Sequence, residues 1–373
     1  MDRRKMRCWA EISLDSFEHN CREMKAHLPE GCRFLGVVKA NAYGHGAVKV
    51  SQRLEKAGAD YLAVAYLEEA VELREAGIKL PVLILGRTAQ QYARDVIEYG
   101  LTQTVTDLAT AKEYSRAAGE EGRQMLCHIK LDTGMGRLGF SATRAADELA
   151  EAAKLPGLDV EGAFTHFAVS DEDGADDEEF TRAQFARFLA AAEHIERAGG
   201  KIVKIKHCTN SGAMIKYPWT YCDMVRPGIL LYGYYPCAET GGIDVRPCMS
   251  LKTRVVQIKD MKKGETVSYG RNWTAPCDSK IAVLSAGYAD GLPRAASGKV
   301  SVMIRGRRVP LVGNVCMDMV MADVTDVPDC APGDEATVFG PEFPGSLEAL
   351  ARAAGTITYE LLCAVSERVP RIY

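Results

Sequence analysis

The sequence contains no Cys-x-x-Cys pair, although twelve cysteines are spread over its 373 residues. That absence removes the usual spacing of a zinc or dithiol site, so free, partly buried thiols and no metal are expected. The chain also lacks any stretch near the roughly 18 apolar residues that a membrane span requires. Its basic start, Met1-Asp2-Arg3-Arg4-Lys5-Met6-Arg7, is followed by no apolar signal core, which implies a cytoplasmic location. Neither charge sign is in excess. A formal net charge of −4 gives no reason to expect nucleic acid or an anionic membrane as partner. What remains is a composition of 47% apolar and 26% charged residues, that of an ordinary globular protein with enough chain for two cores.

Residues 10–242 alternate short apolar runs with amphipathic, alanine-rich segments. The runs are 34–39, 61–65, 82–85, 103–106, 126–131, 160–164, 202–207 and a weak one near 223–226. Helical patterns at 47–57, 67–76, 142–154 and 181–198 lie between them. Eight strand candidates separated by helix predict an N-terminal (β/α)8 TIM-type barrel. An open doubly wound sheet is the alternative, but no Gly-x-Gly-x-x-Gly follows the first strand. After Gly241-Gly242 the texture changes to closely spaced strand runs at 254–261, 266–269, 281–286, 300–304 and 320–324, with turn signals between them. Residues 243–373, together with 1–9, are therefore assigned to a C-terminal mostly-β domain with one late helix near 347–354. The acidic run Asp171–Glu179 is read as a solvated loop, part of which can rim the barrel mouth.

The run Phe34-Leu35-Gly36-Val37-Val38 ends on Lys39, and Ala40-Asn41-Ala42-Tyr43-Gly44-His45-Gly46 follows directly. A lysine at a strand end is either a side chain reaching out to solvent or a desolvated amine suited to a Schiff base. Local pattern leaves both open. The ten residues Val37–Gly46 closely resemble the pyridoxal-phosphate lysine motif of the alanine racemase family. Further motifs recur in the family's order from about Trp9 to Arg371.

This resemblance implies a pyridoxal 5'-phosphate enzyme in which Lys39 forms the internal aldimine and acts as one base. Tyr269, in Thr266-Val267-Ser268-Tyr269-Gly270, matches the opposite-face base, which the family supplies from a second subunit. A homodimer with shared active sites follows. Arg226 aligns with the arginine facing the pyridine nitrogen; it can only donate, so the nitrogen stays unprotonated. His166 matches a residue hydrogen-bonded to that arginine. The phosphate-side segments correspond to His207-Cys208-Thr209-Asn210-Ser211-Gly212 and Gly228-Ile229, with phenols from Tyr43 and Tyr359. Asn210 and Ser211 are expected to hold the phosphate, with backbone amides from Gly228 and Ile229. Arg137 and the Met317 amide match groups that meet the substrate carboxylate, and Tyr288 and Arg294 match the entrance. Lys130 aligns with a lysine that many members carry as a carbamate. Two positions depart: Thr209 stands where many relatives have alanine, and Asn314 where several have arginine.

The implied activity is interconversion of L- and D-alanine, which supplies D-alanine for peptidoglycan. A serine or broad-specificity racemase is the nearest alternative, although Tyr359 narrows the pocket toward a methyl side chain. A non-catalytic pyridoxal-phosphate carrier resembles the first half alone, and a fold-related decarboxylase lacks the β-domain motifs. Fold does not separate these readings; the site residues do.

Overall fold

Short runs of β-branched and large apolar residues, closed off by turn formers, become strands buried on both faces. In the computed structural model, which describes residues 5–373, all eight runs form parallel strands. They are Arg33–Val37, Tyr61–Val64, Val82–Ile84, Thr102–Val105, Met125–Asp132, Leu158–Phe164, Ile205–His207 and Met224–Val225. Each of the first seven pairs with its neighbour in sequence, and the eighth pairs with the first, with Val225 opposite Phe34. Asp223 N donates to Lys206 O (3.0 Å) and Arg226 N to Thr209 O (2.8 Å), which joins the last strand to the seventh and closes the ring.

The helix after the sixth strand shows how sequence and packing agree. Thr181, Gln184, Phe188, Ala191, Ala192 and Ile195 fall on one face and are its buried residues. It runs from Ala175 to Gly199 and stops at Gly200, whose φ of +65° suits glycine. The acidic run is therefore only partly loop. Asp176, Asp177 and Glu178 form the first helical turn, where carboxylates complement the helix dipole.

The second unit is antiparallel. Met249–Met261 pairs with Cys8–Ile12, Glu335–Phe339 and Ser279–Leu284. Val320–Asp323, Arg307–Val312 and Ser301–Ile304 complete a circuit of six strands. Two irregularities in register, near Leu251 and Val255, let the long strand turn between partners. Arg371–Ile372 adds in parallel to Cys8–Ile12. There are two late helices, Ser346–Ala354 and Thr358–Ala364, where the sequence indicates one.

By compactness the chain divides differently from a single cut at 242. The β unit takes the N-terminal residues to Ser16, the short segment Tyr43–Gly46 and Arg246–Tyr373; Phe17–Ala42 and Ala47–Val245 form the barrel unit. Of the segment 1–9, residues 1–4 lie outside the described residues. Among the described residues no helix is long and apolar enough to cross a membrane.

Candidate active site

The first barrel strand stops at Val37, so Lys39 does not end it as the sequence suggests. Lys39 opens a five-residue turn, Lys39–Tyr43, in which Ala40 to Tyr43 have φ between +50° and +53°. This is a left-handed helical turn, which costs L-residues about 1–2 kcal/mol each. Neighbouring bonds hold it. Glu69 accepts from Ala40 N (2.5 Å) and Ala65 N (2.6 Å), while Asn41 Oδ1 accepts from Ala47 N (2.8 Å). Glu69 is a site-shaping residue that no motif flagged.

Lys130, on the fifth strand, is buried with its Nζ over the Phe164 ring at 4.5 Å. Burial, then the nearby Arg226 and Arg137 charges, push its amine well below the usual lysine range. His166 feels the same group of cations. Burial comes first, then Lys130, Arg226, Arg137 and Lys39, and its imidazole is held well below its usual value. Four basic side chains from separate segments thus converge on one histidine.

Arg137 is exposed on a loop with Gly134, Gly136 and Gly139 at positive φ. Asp132 Oδ1 staples that loop by accepting from Gly134 N (3.0 Å) and Gly136 N (3.1 Å). The loop repeats the dinucleotide glycine spacing but leads into the strand Phe140–Ser141 and not into a helix.

Arg226 is buried. Its Nη1 donates to His207 Nδ1 (3.1 Å), and its Nη2 donates to Thr165 O (2.7 Å) and Cys208 O (3.4 Å). The imidazole bonded to Arg226 is therefore that of His207, which corrects the expectation for His166. Burial lowers the guanidinium to about 10, which still leaves it charged at neutral pH.

Ser211 joins the two glycine-containing segments. Its Oγ accepts from Gly228 N (2.9 Å) and Leu230 N (3.3 Å), so the Gly228 amide, expected to face a phosphate, is engaged with the serine. The Ser211 proton is left to donate elsewhere. Asn210 caps the following helix, accepting from Ala213 N (3.0 Å) and from Ser170 Oγ (2.8 Å). Ile229 is buried at the start of the turn Ile229–Tyr232. The departure at Thr209 is accommodated because its hydroxyl bonds Thr220 O (2.9 Å).

In the β unit, the Tyr43 and Tyr359 rings lie 6.2 Å apart, and burial pushes the Tyr43 phenol up. Tyr269 is not in a strand. Ser268 has a φ of +68°, and Tyr269 begins a 3₁₀ turn that leaves it 72% exposed. Asn314 gains a structural role here, since its amide donates to Tyr269 O (2.7 Å) and its carbonyl accepts from Ser268 Oγ (2.8 Å).

Tyr288 N donates to Cys316 O (3.0 Å) and Ala289 N to Met317 O (3.1 Å), so the entrance and substrate segments are one unit of structure. Among the described residues the Met317 N–H has no partner. Arg294 is exposed at the start of the turn Arg294–Ala296. Asp290 ties this region down by accepting from Arg7 (2.7 and 3.1 Å), Arg368 (2.8 and 3.0 Å) and Gly287 N (3.0 Å).

Residues 12–236 match the model of the alanine racemase N-terminal domain, and residues 248–373 that of the C-terminal domain. Alanine racemase 2 of Caldanaerobacter subterraneus subsp. tengcongensis is 46% identical over 97% of this chain and 94% of its own. Alanine racemase of Desulforamulus reducens is 43% identical over 98% of each. The structure of alanine racemase from Clostridium difficile 630 superposes with a TM-score of 0.93 at 40% identity, covering 99% of this chain and 96% of that one. Another structure of that enzyme, a complex with cycloserine, has a TM-score of 0.91 at 38% identity and covers the same shares. Fold, motif order and full-length similarity agree, and the chain belongs to the alanine racemase family.

Proposed function

We propose that this protein is a pyridoxal-phosphate-dependent alanine racemase that interconverts L- and D-alanine and supplies the D isomer for peptidoglycan in the cytoplasm. The observation that carries this reading is the grouping of basic side chains inside the barrel, where Lys130 Nζ and the Arg226 guanidinium lie over the Phe164 ring at 4.5 and 5.4 Å and, with Lys39 and Arg137, lower the His166 imidazole. Such a cationic cluster suits a ligand with a phosphate, a carboxylate and an acceptor ring nitrogen. Pyridoxal phosphate, carried on Lys39, supplies an electron sink beside the substrate α-carbon. Arg226, donor-only and charged, would face the ring nitrogen and keep it unprotonated. Ser211 Oγ–H donates to the phosphate, helped by Ile229 N and the phenols of Tyr43 and Tyr359, with Asn210 shaping the segment.

Arg137 and the Met317 amide orient the substrate carboxylate. Lys39 Nζ holds the α-proton on one face, and the phenol of Tyr269 of the partner subunit holds it on the other. Tyr288 and Arg294 flank the entrance. The buried Lys130 amine, which burial brings well below the usual lysine range, adds carbon dioxide in its uncharged form, releasing one proton and forming a carbamate that pairs with Arg137. Intact-protein mass spectra in bicarbonate should show this adduct; only unmodified Lys130 would remove that assignment.

The deciding assay is D-alanine formation from L-alanine by purified protein with added pyridoxal phosphate, with L-serine alongside. Faster alanine turnover is expected. An apolar pocket rejects one added hydroxyl by only about 100-fold, so slow serine turnover is also expected. Equal serine turnover would move the protein to the broad-specificity branch, and no turnover of either would overturn the reading.

A further inference from the structure

Inside the barrel runs a chain of polar groups to which the racemase reading gives no task. His207 and His128 are fully buried. Arg226 Nη1 lies 3.1 Å from His207 Nδ1, His207 Nε2 lies 2.8 Å from His128 Nδ1, and His128 Nε2 has a longer contact of 3.5 Å to Glu161 Oε2. Beyond it, Tyr61 O–H donates to the same Glu161 oxygen (3.2 Å) and Thr102 Oγ1 lies 2.5 Å from the Tyr61 hydroxyl. Tyr61 and Thr102 are the first residues of their strands, whereas Arg226 follows the end of its own. The chain therefore runs through the barrel interior from the amino ends of the strands to the cationic cluster.

Donor chemistry determines every proton in it. A guanidinium has no acceptor, so His207 Nδ1 must be bare. Burial and then the Arg226 charge keep His207 neutral, so its proton sits on Nε2 and points at His128 Nδ1. Burial likewise keeps His128 neutral, and its remaining proton is on Nε2, facing the Glu161 carboxylate. Glu161 in turn is held below the usual carboxylate range, chiefly by its bond to His128. The barrel leaves room for this arrangement at one position. A Cβ at Gly162 would meet the His128 ring at 2.8 Å, so a side chain there would displace the imidazole. Phe164, stacked on His207 at 4.8 Å, holds the second ring.

We propose that Glu161, acting through His128 and His207, is the positioning residue that locks Arg226 as a charged donor directed at the ring of the bound cofactor. The assignment rests on the racemase reading for the role of Arg226, but not for the proton positions. The Glu161 side chain is 21% exposed, so this end of the chain is not sealed from solvent. Removing the anion frees His128 to carry its proton on Nδ1. That forces His207 to protonate Nδ1, opposite the guanidinium.

The test is ¹⁵N NMR of histidine-labelled holoenzyme, read beside steady-state kinetics. Wild-type His128 and His207 should both be Nε2–H tautomers. Glu161→Leu, which removes the acceptor, should bring up an Nδ1–H population of His207. It should lower kcat about tenfold with KM nearly unchanged, the scale of losing an outer hydrogen-bond partner. Glu161→Gln, with an acceptor but no charge, should fall between, and Glu161→Asp should restore the wild-type tautomers. A wild-type His207 protonated on Nδ1, or Glu161→Leu with unaltered tautomers, would overturn the proposal while leaving the racemase standing. Wild-type protein without turnover would instead overturn the role given to Arg226, with the tautomers still read independently.

Discussion

In the proposed mechanism Lys39 and Tyr269 are the two bases, and each makes a separable prediction. Lys39→Ala should abolish racemisation of both enantiomers and the absorbance of lysine-bound pyridoxal phosphate; retained turnover would reassign the base. Tyr269→Ala should act directionally, with α-proton exchange from L-alanine failing most. Equal loss in both exchange directions would count against the stereochemical assignment. At this scale the motifs Val37–Gly46 and Val315–Asp318 were legible because chemistry constrains contiguous residues. His207, His128 and Glu69 were not. His207 heads a phosphate-side segment and the other two lie in unremarkable sequence, but the role of each comes from a partner 19 or more positions away: Arg226 for His207, His207 for His128 and Ala40 for Glu69. A polar residue inside an apolar run, as His128 is in Leu126-Cys127-His128-Ile129, was the available signal.

Among the elements, the turn Tyr288–Asp290 is the one whose stability can be tested by pH. Burial raises the Asp290 carboxyl, but bonds from Arg7 and Arg368 outweigh it and the net shift is downward. A lowered carboxylate contributes stability above its unfolded value of about 3.9, and that contribution is lost as pH falls through the lower folded value. Asp290→Asn should therefore cost about 1–3 kcal/mol near neutral pH, the scale of hydrogen bonds to a charged group. Urea unfolding followed from pH 7 into acid would check this, with the variant showing a shallower acid limb. An unchanged midpoint at pH 7 would show that Arg7 and Arg368 find other partners. The barrel strands were readable from β-branched runs. The left-handed turn was not, since Ala40, Asn41, Ala42 and Tyr43 carry no glycine to announce positive φ.

For the whole molecule, the β unit exposes an apolar face that a soluble chain rarely leaves bare. Tyr269, Met317 and Met319 are 72%, 52% and 47% exposed and line a groove with Met261, Val267 and Met321. We expect a second copy of the chain to cover it in a homodimer. Met319→Glu, placing a charge in that face, should shift the protein to monomer in analytical ultracentrifugation and lower kcat with the shared site. A monomeric wild-type protein with full activity would rule this arrangement out.

The sequence by itself determined the class of chemistry and the order of barrel and β domain, because local hydrophobic periodicity and contiguous motifs are properties of neighbouring residues. Tertiary structure alone decided which histidine meets Arg226, how far the acidic run is helical, and that Tyr43–Gly46 groups with the β unit. Those outcomes depend on pairings between distant residues, where burial removes water as a competing partner. Geometry then selects which donor meets which acceptor.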